Sequence, residues 1–299
     1  MALGYSRGEP VAQGGANAPS DPRRRVGFLA GSAVAAAAMA IASWATIFAN
    51  DLFSPGDFFS GRTLERGADF AAALLGVHSS VAPAFVDPGQ WAHKGRLAAE
   101  TLGMSVAAAG LAAVGALATF MFGARNVMVG SLAPHDSLWR RSPFFLIRAL
   151  FTVSRAVPEL VWAMILVFVF TQGTLPGVIA LAIHNGGILG KLGSEIVEGL
   201  DTRPIRALRS TGAGWMQVLL YGVLPEALPK FITYLFYRWE VIIRTTIIVG
   251  FVAAGGLGAE FRLAMSHFKF TEVALILFWY LVLVLFVDIT AARLRRLAQ

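Results

Sequence analysis

The sequence predicts an all-α polytopic membrane protein with six transmembrane helices. Three observations predict it. Of the 299 residues, 56% are hydrophobic and only 14% charged, with a mean hydropathy of +0.64, which is more apolar than a soluble domain. Uncharged runs of membrane-crossing length recur, most clearly at 26–48 and 101–122. The arginines stand at the ends of these runs, where they set topology.

Residues 1–25 are rich in Gly, Pro, Ala and Ser and end in Arg23, Arg24 and Arg25, a composition that predicts a disordered cytoplasmic tail. The run 26–48 has 23 residues without a charge. A cleaved signal peptide is the rival reading. The run is longer than a signal core and follows a long tail, which favours a retained first span. Residues 26–97 thus hold the first transmembrane helix and an external segment. Within 49–97, four bases (Arg62, Arg66, Lys94, Arg96) balance five acids (Asp51, Asp57, Glu65, Asp69, Asp87), without the positive bias of a cytoplasmic loop. Residues 64–77 read as a surface helix.

Residues 98–299 predict a core of five helices. The run 101–122 carries Gly103, Gly110 and Gly115, small residues that let helices approach closely. Arg125, Arg140 and Arg141 mark the following loop as cytoplasmic. The stretch 143–170 is interrupted by Arg148, Arg155 and Glu159 and reads as one long helix bent at Pro158. After an outside turn at 171–176 comes 177–197, whose centre holds His184, Asn185, Gly186, Gly187, Gly190 and Lys191. Such a helix is enclosed by others and lines a polar path. The stretch 228–254 carries Lys230, Arg238, Glu240 and Arg244 and leads to a glycine turn at 253–258, placed outside the membrane. The last span, 271–292, is closed by Arg293, Arg295 and Arg296. The base excess places both termini in the cytoplasm. No internal repeat is visible.

Between the fourth and fifth spans lies a loop at about 200–229. Its residues 206–229 read RALRSTGAGWMQVLLYGVLPEALP. A short helix over 204–211 has Pro204 in its first turn, Gly212 and Gly214 bracket a turn, and a second helix over 215–224 is stopped by Pro225. Arg203, Arg206 and Arg209 flank it.

Several functions are excluded. With no cysteine there is no disulfide, thiol catalysis or cysteine–zinc site. The five histidines show no metal-ligand spacing. No phosphate-binding G-x-x-x-x-G-K-[ST] occurs, so the chain is not expected to hydrolyse ATP. No nucleophile–base arrangement stands out. The net charge of +7 belongs to span ends, not to a nucleic-acid surface. No cofactor, metal or catalytic residue is expected.

The intramembrane charges are the candidate pathway or ion-pair residues. Glu240 and Arg244 are four apart, in the favourable order, and are expected to pair. Arg238 points elsewhere, roughly 15 Å along a helix begun at 228 and nearest the midplane, with Arg244 roughly 24 Å along. An arginine here either offers donors to a passing anion or joins a structural network that includes Glu159. His184 and Asn185 read as packing and hydrogen-bonding residues.

Residues 206–225 resemble the "EAA loop" of ABC importer permeases. Ala207, Gly212, Leu224 and Pro225 fall at matching positions, while Arg206, Leu208 and Gly222 depart from the Glu, second Ala and Ile of that pattern. From residue 100 onward the order of features is similar to binding-protein-dependent importer permeases of the methionine and phosphonate type. A Glu-Thr-Leu opening stands at Glu100 to Leu102 and a Gly-Gly-Leu-Gly turn at 255–258. The stretches Tyr221-Gly222-Val223-Leu224-Pro225 and Tyr237-Arg238-Trp239-Glu240-Val241-Ile242-Ile243-Arg244 look most like the phosphonate permease. The resemblance implies a type I importer permease fold in a bacterial inner membrane. It implies that Arg206, Ala207, Leu208, Gly212, Leu224 and Pro225 dock into a groove on a cytoplasmic ATPase. It further implies a homodimer, two ATPase copies, an extracytoplasmic substrate-binding protein, and phosphonate or a related phosphorus oxyanion as substrate. Two other classes compete: an ion-coupled secondary transporter or channel using the intramembrane charges, and a membrane-embedded enzyme. The docking loop, the lack of inverted repeats and the lack of paired catalytic groups weigh against both.

Overall fold

A computed structural model describes residues 22–50, 56, 60–77, 82–130, 132 and 138–298. Residues 1–21, most of the expected tail, lie outside the described residues. Every regular element among those described is a helix. The chain divides into two units, Met1–Asp69 and Phe70–Gln299.

In the first unit, helix α1 spans Pro22–Asn50, beginning four residues before the expected run. Its side chains from residue 30 onward are exposed almost throughout, Val34 at 68% and Ile41 at 70%. A helix apolar all round and open on every side suits lipid as its solvent. Helix α2, Gly61–Leu74, runs across the boundary between the units, has no buried residue and overlaps the surface helix expected over 64–77.

The second unit is built on α3, Pro88–Gly123, 36 residues long. It starts well before the uncharged run because Asp87 caps it, accepting from Gly89 N at 2.8 Å, and Pro88 suits the first turn. A short turn, α4 (Arg125–Met128), follows. Helices α5 (Leu138–Ala156) and α6 (Glu159–Phe170) take the place of the single bent helix, meeting at 94°. Pro158 forces the preceding residue out of helix, so the chain breaks there. Two carbonyls near the break find side-chain donors: Trp162 Nε1 donates to Ser154 O at 3.1 Å, and His184 Nδ1 lies 3.0 Å from Val157 O.

Helix α7, Thr174–Glu198, makes its largest contact with α3. Its glycines explain why. Ala108, Ala112 and Ala116 of α3 are buried, and a Cβ on Gly193 would come within 2.9 Å of the Phe120 Cβ. On α5, the Phe151 ring fills the space a side chain at Gly190 would need, and Ser154 does the same at Gly187. The glycine stripe is therefore a packing seam for backbones in close approach.

Helix α8 (Thr202–Ser210) and a turn at Gly212 lead to α9 (Trp215–Gln217). A π turn, Val218–Val223, runs on into α10 (Leu224–Val249). Here the sequence expectation is corrected: Pro225 does not stop a helix. It sits in the first turn of α10, where its missing N–H matters least, and the wide turn before it lets the helical path continue. The expected glycine turn is a second π turn, Gly250–Ala254, then Gly255 and Gly256 at φ +92° and +63°. A helix not anticipated, α11 (Gly256–Ser266), follows, and α12 (Phe270–Ala298) ends the chain. Four helices (α1 from Ala30, α3, α7 and α12) are individually long and apolar enough to cross a membrane; counting the two bent pairs gives up to six.

Candidate functional site

The 200–229 loop has a buried footing and an exposed face. Asp201 caps α8 through Arg203 N at 2.9 Å. Ile205 is 1% exposed and joins a cluster with Val127, Met128, Leu132, Val218, Leu219 and Val223. Leu208 is half-buried over Gly222, where a Cβ would sit 3.5 Å from its methyl. The glycine where the family pattern has Ile thus lies beside the leucine where it has Ala. Arg206 and Ala207 are exposed, the former donating from Nη2 to Thr202 Oγ1 at 2.8 Å. Gly212 has φ +90°, a left-handed backbone that side chains resist. Leu224 packs against the cluster and Pro225 is exposed.

The root of this loop is clasped by residues that the sequence reading did not single out for it. Glu198, the last residue of α7, accepts from Arg125 N at 2.7 Å and from Arg148. Arg148 also donates to Gly123 O at 3.0 Å, and Asn126 Nδ2 to Val197 O at 2.8 Å. These bonds tie α3, α4, α5 and α7 at one point. No local spacing signals them, because the partners are 25 to 73 residues apart.

The interior charges find partners on other helices. Arg238 Nε donates to Asn185 Oδ1 at 3.1 Å, and Asn185 Nδ2 in turn to Leu181 O at 2.8 Å. Glu159 lies 3.3 Å from His184 Nε2 and within electrostatic reach of Arg238. The His184 ring thus bridges the Val157 carbonyl and the Glu159 carboxylate. The expected Glu240–Arg244 pair does not form. Glu240 pairs with Arg295, and Arg244 Nη2 donates to both oxygens of Asp288 at 2.8 Å. The contact between α10 and α12 overrides the weak attraction of neighbours on one helix. Arg238 meets Asn185 near the middle of α7, and its neighbour Trp239 donates from Nε1 to Ser105 Oγ near the middle of α3 at 3.2 Å. Sequence reading thus named Glu159, Arg238, His184 and Asn185 but did not pair them.

The described residues form an all-helical membrane bundle with an amphipathic helical loop seated on one end, the form of a transport permease subunit. The family model for the "binding-protein-dependent transport system inner membrane component" matches residues 126–298. Over 234 residues the chain is 37% identical to the "Phosphite transport system permease protein PtxC" of Stutzerimonas stutzeri, covering 78% of this chain and 80% of that protein. It is 34% identical over 239 residues to the "Phosphate-import permease protein PhnE" of Mycolicibacterium smegmatis, covering 80% of this chain but only 42% of that longer protein. Among solved structures, an inward-facing form of the MetNI methionine ABC transporter superposes with a TM-score of 0.56 at 20% identity, covering 68% of this chain and 95% of that one. The chain belongs to the family of binding-protein-dependent transport system inner membrane components. Its fold is that of ABC importer permeases. It is a permease subunit that works with a separate ATPase subunit and a substrate-binding protein, and the ion-coupled alternative falls away.

Proposed function

We propose that this chain is the permease of an ATP-driven importer for phosphonate, phosphite or a related phosphorus oxyanion. Two copies surround the pathway, two ATPase subunits bind from the cytoplasm, and the binding protein delivers substrate from outside. Both termini are cytoplasmic. The observation that carries this reading is the exposed face of α8, with Arg206 and Ala207, on a footing of Ile205, Leu208, Leu224 and Gly222. An ATPase pushing on that face moves α10 through the π turn and α7 through its clasped end. The named substrates of the relatives, phosphite and phosphate, support the oxyanion class. Arg238 supplies donors along the path, with Glu159 close enough to limit how tightly an anion is held.

The test is uptake by the chain reconstituted with its ATPase and binding protein, using isotopically labelled phosphite, phosphonate and phosphate against sulfate. Uptake of at least one phosphorus oxyanion and exclusion of sulfate is expected. Transport of a non-phosphorus substrate alone refutes the substrate class, and failure to copurify an ATPase refutes the role.

A further inference from the structure

Lys94 is the most deeply buried charged residue described, 1% exposed in the second turn of a helix begun at Pro88. It stands at the end of α3 opposite the clasp at Gly123. Its ammonium reaches two carboxylates on two other helices: Glu260 of α11 at 2.5 Å and Glu272 of α12 at 2.9 Å. Glu272 also accepts from Lys269 at 2.9 Å, and His93 Nε2 lies 3.7 Å from Glu260. A lone buried ammonium is expensive, so one carboxylate partner is the minimum such a lysine needs. Lys94 has two, and only one of them, Glu272, belongs to the membrane-crossing helix.

The other, Glu260, belongs to a short helix bounded at both ends by left-handed backbone. Gly255 and Gly256 precede α11 at φ +92° and +63°. Phe268 follows it at φ +56°, a rare conformation for a bulky residue. A hydrogen bond from Leu257 N to Thr101 Oγ1, 2.9 Å, is another polar tie between α11 and α3. If α11 leaves, Lys94 keeps Glu272, so no ammonium is stranded. Glu260 keeps His93, already 3.7 Å away on the same helix as Lys94 and 41% exposed.

We propose that Lys94 is a positioning residue for transport: through Glu260 it holds α11 closed over the outer end of the bundle, and it hands Glu260 to His93 when that end opens. This rests on the permease reading above, in which the outer end must open and close. Alternating access needs an element with two arrangements of similar energy, and an exchange of one carboxylate between two neighbouring bases supplies one.

The chain has no cysteine, so introduced thiols react without background. Leu97 of α3 and Phe261 of α11 pack against the same cluster. The test places cysteines at both, bridges them with a short, reducible bis-thiol linker, and measures uptake by the reconstituted importer. Bridging is expected to abolish uptake and reduction to restore it. Full uptake by the completely bridged protein overturns the proposal while leaving the permease reading intact; no uptake by the cysteine-free chain counts against that reading instead, and with it the proposal. In parallel, Lys94→Met is expected to lower uptake roughly tenfold while ATP hydrolysis persists without the binding protein. Lys94→Arg, which keeps the charge, is expected to restore coupling. Lys94→Met that assembles and transports as the unmodified chain does also overturns it.

Discussion

The Arg244 guanidinium and the Asp288 carboxylate face each other across α10 and α12, with one nitrogen donating to both oxygens at 2.8 Å. One to two turns closer to the loop, Glu240 pairs with Arg295 between the same two helices. The two pairs run in opposite senses, acid on α10 in one and base on α10 in the other. Sliding or inverting the contact would bring like charges together, so the pairs select one register.

The Glu240–Arg295 pair is the more buried, with side chains 13% and 25% exposed. Removing one partner strands the other, so Glu240→Gln is expected to cost about 2–3 kcal/mol, less than the 3–5 of a fully enclosed pair. Arg295→Gln in the same chain should recover part of that loss, and Arg244→Gln should not. Thermal stability in detergent reads the difference. Recovery by Arg244→Gln instead would contradict the pairing described here.

Gly190 faces the Phe151 ring with no room for a side chain. Gly190→Val is expected to lower stability by about 1–3 kcal/mol. Phe151→Ala opens space at the same point, so the double variant should lose less than the two single losses added together. Additive losses would mean the two residues do not meet.

Gly212 has open space around it but a φ of +90°. Gly212→Asp therefore acts through backbone strain of about 1–3 kcal/mol and a new charge in the turn, not through a clash. The protein should reach the membrane at normal level yet copurify less ATPase and lose uptake. Normal uptake with normal assembly would remove the docking role of this turn.

Arg238→Gln keeps a donor for Asn185 and loses the positive charge. If Arg238 serves the anion, the variant assembles with its ATPase and binding protein but loses uptake, roughly tenfold or more. Undiminished uptake would leave Arg238 as a packing residue.

Both termini are expected in the cytoplasm. Reporter fusions at the C-terminus should be active only for a cytoplasmic reporter, and activity of a periplasmic one would overturn the arrangement proposed for α12.

Much of the architecture was legible because a bilayer imposes local rules. A span needs about 20 apolar residues in a row, so composition along the chain suffices to find one. The helical loop at 200–229 was legible for a similar reason, since its residues lie within one short stretch at set spacing. Its footing was not, because Ile205 is buried by Val127, Met128 and Leu132 from a distant part of the chain.

What the sequence by itself determined is therefore the apolar spans, the glycine turns and the amphipathic loop, each a matter of neighbours along the chain. Tertiary structure decided which charges meet. Glu240 had a base one turn away and Lys94 lay in a segment read as external, yet Glu240 pairs with Arg295, and Lys94 is buried between two glutamates 166 and 178 residues further on. The physical reason is that a neighbour on the same helix contributes only a few tenths of a kcal/mol. A charge enclosed by other helices must find its partner wherever their packing places one.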